Sequence, residues 1–335
     1  MNKNFIIYFL VAIFVICISP YIFDDYGIRI INNIFIFIIL AASYNLINGI
    51  TGQFSLEPNG FVAIGAYVTS LCLLSEDLKW ELFQLEDPAP WVLALNTSLV
   101  PALLLSGVVA ALVAVCLAIP VFRVRGDYLA IVTLGFGFII KVFAINSPEI
   151  TNGSIGLNEI PSVINIYWTG GIAILTVVVM LNIIYSKYGR AMKAVRDDED
   201  AASAIGINTF KIKTLAFGTS AFFEGIGGGL LAVLLTTISP DLFTFFLTFQ
   251  LLIIIVLGGL GSMSGAIIGT VLVIGGSEWL RFLDDSLNIF GYVTDAHPGL
   301  RMVVFSLILI IVMLFAREGI MGKREFSDIF KRRRK

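Results

Sequence analysis

SKYGRAMKAVRDDEDAASAIGINTFKIKT, residues Ser186–Thr214, lies between two apolar runs that are each long enough to cross a bilayer. Six basic residues (Lys187, Arg190, Lys193, Arg196, Lys211 and Lys213) put it on the cytoplasmic side by the positive-inside rule. A connection that only joins two spans is usually shorter. Its length and helical composition predict a docking element for a soluble partner. Arg190, Lys193 and Arg196 come before Asp197, Asp198, Glu199 and Asp200. Cations favour helix C-termini and anions favour N-termini, so this order suggests two short helices breaking near Asp197. Gly206 then closes the second as a left-handed residue. One continuous helix is the alternative, since Lys193–Asp197 and Arg196–Asp200 are spaced i,i+4. Ala191, Ala194, Ala201, Ala202 and Ala204 give the segment a small-sided surface suited to a partner's groove, although alanine is also the best helix former.

Outward from this island, apolar runs recur at about 5–23, 28–47, 60–74, 91–119, 128–145, 163–185, 214–235, 249–262, 264–282 and 299–316. The reading is an all-α polytopic membrane protein of about ten transmembrane helices, with eight or nine as alternatives. The runs 60–74, 249–262 and 264–282 are short or merge, as half-helices or re-entrant segments do. Asp24–Asp25 and the cluster Glu76, Asp77, Glu81, Glu86 and Asp87 sit in acidic connections. Arg123, Arg125, the central island and the tail Lys331–Lys335 sit in basic ones. Ten spans place every basic segment on one side, with both termini cytoplasmic. Residues 1–322 form the membrane domain, with 186–214 within it, and 323–335 form a basic tail that binds anionic lipid or, more commonly, only holds the orientation.

Mean hydropathy is +0.93, with 58% hydrophobic and only 14% charged residues. A soluble domain carries about 25% charged residues, so lipid solvates most of this chain. The 22 basic and 24 acidic residues argue against nucleic acid as a partner. Cys17, Cys72 and Cys116 lie in apolar runs without close spacing, which reads as small hydrophobes in packed helices. His297 is the sole histidine, so no multi-histidine metal site is expected. No phosphate loop, H-E-x-x-H or G-x-S-x-G occurs, leaving no catalytic constellation and no call for a cofactor.

Two stretches break the span pattern with glycine. The first, Asn45–Gly65, carries Asn45, Asn48, Thr51, Gln53, Ser55, Glu57 and Asn59. Such a segment either lines a polar path or packs helices closely. Its polar density makes Asn45, Gln53 and Ser55 candidates for a translocation path. The second, Gly258–Gly269, is nearly free of polar side chains and reads as close packing. Of the ionisable residues inside spans, Glu278 and Arg281 read as an interfacial pair and Lys141 as a snorkelling lysine. Glu224, in SAFFEGIGGG, has no such account and joins the path candidates.

Five motifs stand in order: GDYLAIVTLGFG (Gly126–Gly137), TNGSIGLNEIP (Thr151–Pro161), YGRAMKAVRDDEDAASAIGIN (Tyr188–Asn208), VLGGLGSMSGAIIG (Val256–Gly269) and FAREGIMG (Phe315–Gly322). Together they resemble the permease subunits of bacterial branched-chain amino acid ABC importers, the longer of the two permease types. The likeness runs from about residue 30 to 322. It implies an inner-membrane subunit without its own ATPase, with a fold like that of the cobalamin importer. It also implies a second permease, two cytoplasmic ATPases and a periplasmic binding protein as partners. Gly189, Arg190, Arg196, Glu199, Ala202 and Gly206 then belong to the ATPase-coupling segment. The chain departs from the family pattern at Glu57–Pro58, where glycine and histidine are usual, at Phe138, where glutamate is usual, and at Glu224, where a small residue is expected. These departures touch the substrate more than the architecture. Branched-chain amino acids are the leading expectation and urea or short amides the alternative. A self-sufficient proton-coupled carrier using Glu224 and a passive channel for a neutral solute are the readings outside the ABC class.

Overall fold

The computed structural model describes residues 3–124, 126, 128–284, 288–289, 292–293, 299–316, 318–322 and 324–325. Arg125, His297, Arg317 and the Lys331–Lys335 tail fall outside the described residues.

The helices run in order α1 (Lys3–Ile22), α2 (Asp25–Asn45), α3 (Pro58–Leu73), α4 (Glu76–Leu82), α5 (Pro90–Leu93), α6 (Leu99–Val121), α7 (Tyr128–Ile145) and α8 (Pro148–Thr151). Then follow α9 (Ile166–Tyr185), α10 (Lys187–Asp197), α11 (Glu199–Ala204), α12 (Thr209–Leu235), α13 (Phe245–Gly258), α14 (Met263–Thr270), α15 (Gly276–Trp279) and α16 (Leu300–Phe315). Two-residue strands Asn288–Ile289 and Tyr292–Val293 pair antiparallel, and Leu157 and Ile238 form an isolated antiparallel bridge.

Each apolar run of the sequence contains a helix, the run 91–119 being broken between α5 and α6. Among the described residues, seven helical stretches are long and apolar enough to cross a membrane: Asp25–Ile50, Leu99–Val121, Tyr128–Ile145, Ile166–Tyr185, Thr209–Leu235, Pro240–Gly258 and Met263–Leu283. An eighth is possible if α3 and α4, bent by 119°, count as one. The described parts Ile13–Ile22 and Leu300–Val312 of α1 and α16 are shorter apolar helices.

Local chemistry sets the helix starts. Asp24, Ser75, Asn165, Ser186, Asp198, Asn208 and Ser262 each accept a hydrogen bond from a free amide of the helix that follows. Pro58 starts α3, where its missing N–H costs nothing.

The centre is α12, which packs on α6, α3 and α2. Its most apolar window and that of α2 are 72% buried, against 33% for α7 and α9, which present lipid-facing flanks. The α3–α12 crossing is backbone on backbone. A Cβ on Gly65 would sit 2.0 Å from the Gly225 carbonyl oxygen, and one on Gly228 would sit 2.1 Å from that of Val62. Small residues at a helix crossing allow this approach, and in lipid such packing holds helices together.

The end of the bundle remote from α10–α11 is capped by short elements. The buried Lys79 ammonium of α4 donates to the carbonyls of Val92 and Leu95. Asn152, in a left-handed conformation, accepts from Gln84 N and donates to the carbonyls of Leu82 and Gly156. Lys141, read as a snorkelling lysine, reaches the largely exposed Asp241 at 2.7 Å. Glu278 and Arg281 lie 3.8 Å apart and both meet the Tyr26 hydroxyl, as an interfacial pair would. Cys72 is buried, whereas Cys17 and Cys116 face outward, so only Cys72 fits the packed-helix expectation.

Candidate functional site

The charged island forms two helices. They part at Asp198, whose carboxylate accepts from Ala201 N and starts α11 while α10 ends at Asp197. Gly206 follows α11 at φ +89°, with its N–H on the Ser203 carbonyl and that of Ile207 on Ala202. Nothing lies within 4 Å of a Cβ built on Gly206, so backbone conformation alone requires the glycine there.

The segment has two faces, and they divide the coupling candidates. Gly189 is buried where α10 turns off α9, since a Cβ there would sit 2.2 Å from the Ile184 carbonyl. Ala202 is buried as well, so it stands apart from the exposed Ala201 and Ala204. Glu199 pairs at 2.6 Å with Lys213, whose side chain is only 4% exposed. Arg196 turns inward too. Its Nε and Nη2 both donate to Asp197 Oδ1 at 3.0 Å, and Nη1 reaches the Gly49 carbonyl at 3.3 Å. Facing away are Arg190, Ala201, Ala204, Gly206 and Ile205, the last 76% exposed.

Below Arg196 the two glycine stretches of the sequence meet. The end of α2 widens into a π-turn, Leu46–Ile50, with Thr51 N bonded to Leu46 O. π-turns are frequent at functional sites. The Asn45 amide accepts from Gly261 N at 2.9 Å and donates to Ser262 O at 3.1 Å. Asn45 is thus a fully buried staple between the stretches. Asn48 holds Ser55 through its N–H and carbonyl, and Asn59 ties α3 to Thr248 of α13. Leu56 N donates to Thr133 of α7. Much of the region's polar density therefore satisfies an irregular backbone at membrane depth, as buried polar groups demand.

Four side chains at this place keep polar atoms with a weak partner or none. Gln53 is half-buried, its amide 3.5 Å from the Thr51 carbonyl. Ser55 Oγ is buried without a partner, as are both Glu57 carboxylate oxygens. Glu224, fully buried in α12, accepts from Ser220 Oγ at 2.8 Å while its other oxygen has no partner. The two carboxyls interact electrostatically with each other and with the Tyr44 phenol, which donates to the Ser55 carbonyl. Among the described residues no lysine, arginine or histidine forms an ion pair with either. Glu57 had appeared in the sequence as a departure from the family pattern. Only the α3–α12 contact makes it the neighbour of Glu224. The described residues contain no cluster able to hold a metal ion.

Residues 27–313 match the family of the permease component of branched-chain amino acid transport systems. The chain belongs to this permease family. It is 32% identical to the high-affinity branched-chain amino acid transport system permease protein LivM of Salmonella typhimurium, covering 84% of this chain and 71% of that protein. Against LivM of Escherichia coli the identity is 31% with the same coverage. LivH of Salmonella typhimurium is 26% identical, over 87% of this chain and 92% of that protein. The longer permease type is thus the nearer of the two, as the five motifs implied. These relatives favour neither a urea or amide permease nor a self-sufficient carrier. No solved structure matches the permease.

Proposed function

We propose that the protein is the longer permease subunit of an ABC importer that carries branched-chain amino acids across the bacterial inner membrane. The family match over residues 27–313 carries this reading. In it the chain crosses ten times. The seven long spans are joined by α3 and by α1 and α16, whose described apolar parts are short but belong to helices of 20 and 16 residues. Both termini and α10–α11 then face the cytoplasm, and the fold is of the cobalamin-importer kind. A second permease, two ATPases and a periplasmic binding protein complete the assembly. The outward face around Ile205 and Gly206 seats on an ATPase, and no catalysis is assigned to the chain itself.

Uptake of leucine by cells or proteoliposomes is the test. It should need ATP and both ATPase subunits, and the loss of either should abolish it. Uptake that persists without the ATPases contradicts the reading. Orientation has its own check: in a single-cysteine background, an impermeant thiol reagent outside should label cysteines at Glu81 and Asn158 but not at Lys193. External labelling at Lys193 overturns the orientation and the docking role together.

The path in this reading passes the irregular segment 51–57 and the α3–α12 seam, where Gln53, Ser55, Glu57 and Glu224 stand. Gln53→Phe and Ser55→Leu should each lower uptake several-fold while the amount of assembled transporter stays constant. Unchanged uptake at both positions would return the segment to a purely structural role.

A further inference from the structure

α10 packs on α9 and α12, and it meets the end of α2 at one crowded place. The carboxylate of Asp197 holds one edge of the Arg196 guanidinium and leaves Nη1 for the Gly49 carbonyl. A planar fork held on one edge has little freedom on the other. The stem of the same side chain covers Gly52: a Cβ on Gly52, at φ +70°, would sit 2.3 Å from Arg196 Cγ and 2.9 Å from its Cβ. Gly49 in turn has no free space, since a Cβ there would lie 2.2 Å from Asn45 Oδ1 and 2.3 Å from Gly261 N.

The contacts continue through Asn45 to Gly261 and Ser262. Ser262 starts α14 by accepting from Gly265 N, and its hydroxyl donates to the Arg324 carbonyl. The Glu325 carboxylate accepts from Met263 N and Ser264 N, clamping the α13–α14 turn. Backbone lies directly on backbone or on a fixed side chain at each step. The π-turn Leu46–Ile50 ends the span that leads to segment 51–57.

We propose that Arg196 is a positioning residue that locks α10 to the Asn45–Gly52 turn, so that displacement of the coupling helices is passed to α2, α14 and segment 51–57. It is not a contact to the ATPase. This rests on the reading of α10–α11 as the docking element. Coupling between sites requires an element that both ends bias, and the π-turn is that element here. Gly52 contributes by having no side chain, which lets the arginine stem lie flat on the turn.

The test uses the assembled importer with its ATPases, in proteoliposomes loaded with the binding protein. Arg196→Ala should keep the ATPases bound on purification and keep basal ATP hydrolysis. Leucine moved per ATP should fall about tenfold or more. Gly52→Ala, which pushes the same contact apart from the other side, should give the same decoupling. Arg196→Lys, which keeps the charge and loses the fork, should lie between. Should Arg196→Ala not accumulate, Gly52→Ala and Arg196→Lys carry the test alone. A wild-type transport-to-hydrolysis ratio in these variants overturns the proposal. So does loss of the ATPases from the complex, which would make Arg196 a docking residue while leaving the docking reading intact. Ile205→Glu, on the outward face, isolates that reading: if it leaves ATPase binding, hydrolysis and uptake at wild-type values, the docking role itself falls.

Discussion

Gly65→Ala should prevent the folded protein from accumulating in the membrane. The new Cβ would sit 2.0 Å from the carbonyl oxygen of Gly225 and 2.5 Å from its carbonyl carbon. Those atoms are backbone of the central helix and cannot rotate away as a side chain would, so α3 and α12 have to separate. Overpacking usually costs about 1–3 kcal/mol, and a clash between two backbones belongs at the upper end or beyond. That is a large part of a marginal stability. Size-exclusion profiles of detergent extracts should show the peak lost or aggregated. Gly171→Ala is the control. Nothing lies within 4 Å of its Cβ, so it should change stability by no more than about 0.5 kcal/mol. Equal behaviour of the two variants would mean that the α3–α12 crossing is looser than described.

Glu224→Met should make the protein more stable and a poorer transporter. Three of the four carboxylate oxygens of Glu57 and Glu224 are buried without a donor. Neither residue exposes any surface, and no described cation is paired with them. Burying a polar group unsatisfied is costly. A buried polar group left without a partner costs about 1–3 kcal/mol, and an apolar side chain of similar volume avoids that cost. A side chain that costs stability in the closed seam is expected to matter when the seam opens. The melting temperature of the purified subunit should therefore rise while leucine uptake falls several-fold. A lower melting temperature would show that the carboxyl is satisfied in its place, and unchanged uptake would remove Glu224 from the path.

How much of this was legible beforehand differs between local and long-range features. The two-helix form of the island was readable because charge order, the Asp198 start and the Gly206 stop are neighbours in sequence. The apolar runs marked every long helix, since the requirement for apolar length acts on each segment by itself. Long-range contacts were not readable in this way. Arg196 looked like a partner-facing charge, and its acceptor, the Gly49 carbonyl, is a backbone atom 147 residues away that no side-chain pattern announces. The stapling role of Asn45 was hidden for the same reason, because Gly261 and Ser262 receive it through their backbones. The second glycine stretch was correctly taken as close packing. Its lack of polar side chains left little else for glycine to do at that depth, and Gly258 does lie directly on the Gly265 carbonyl. Glu57 and Glu224 were each visible as an oddity. The pairing depended on the approach of α3 to α12, which the glycines permit but do not specify.

The most direct measurement of the central claim is chemical crosslinking from Ile205. Its side chain is 76% exposed on the outward face of the two-helix segment, so cysteine there should not disturb the fold. In a background without Cys17, Cys72 and Cys116, Ile205→Cys should crosslink to an ATPase subunit through a short thiol-directed reagent. A cysteine at Trp80, exposed at the other end of the bundle, should not. An Ile205→Cys protein that reacts instead with an impermeant thiol reagent outside the membrane, and never with an ATPase, would contradict the assignment of this chain as an ATP-driven permease coupled through α10–α11.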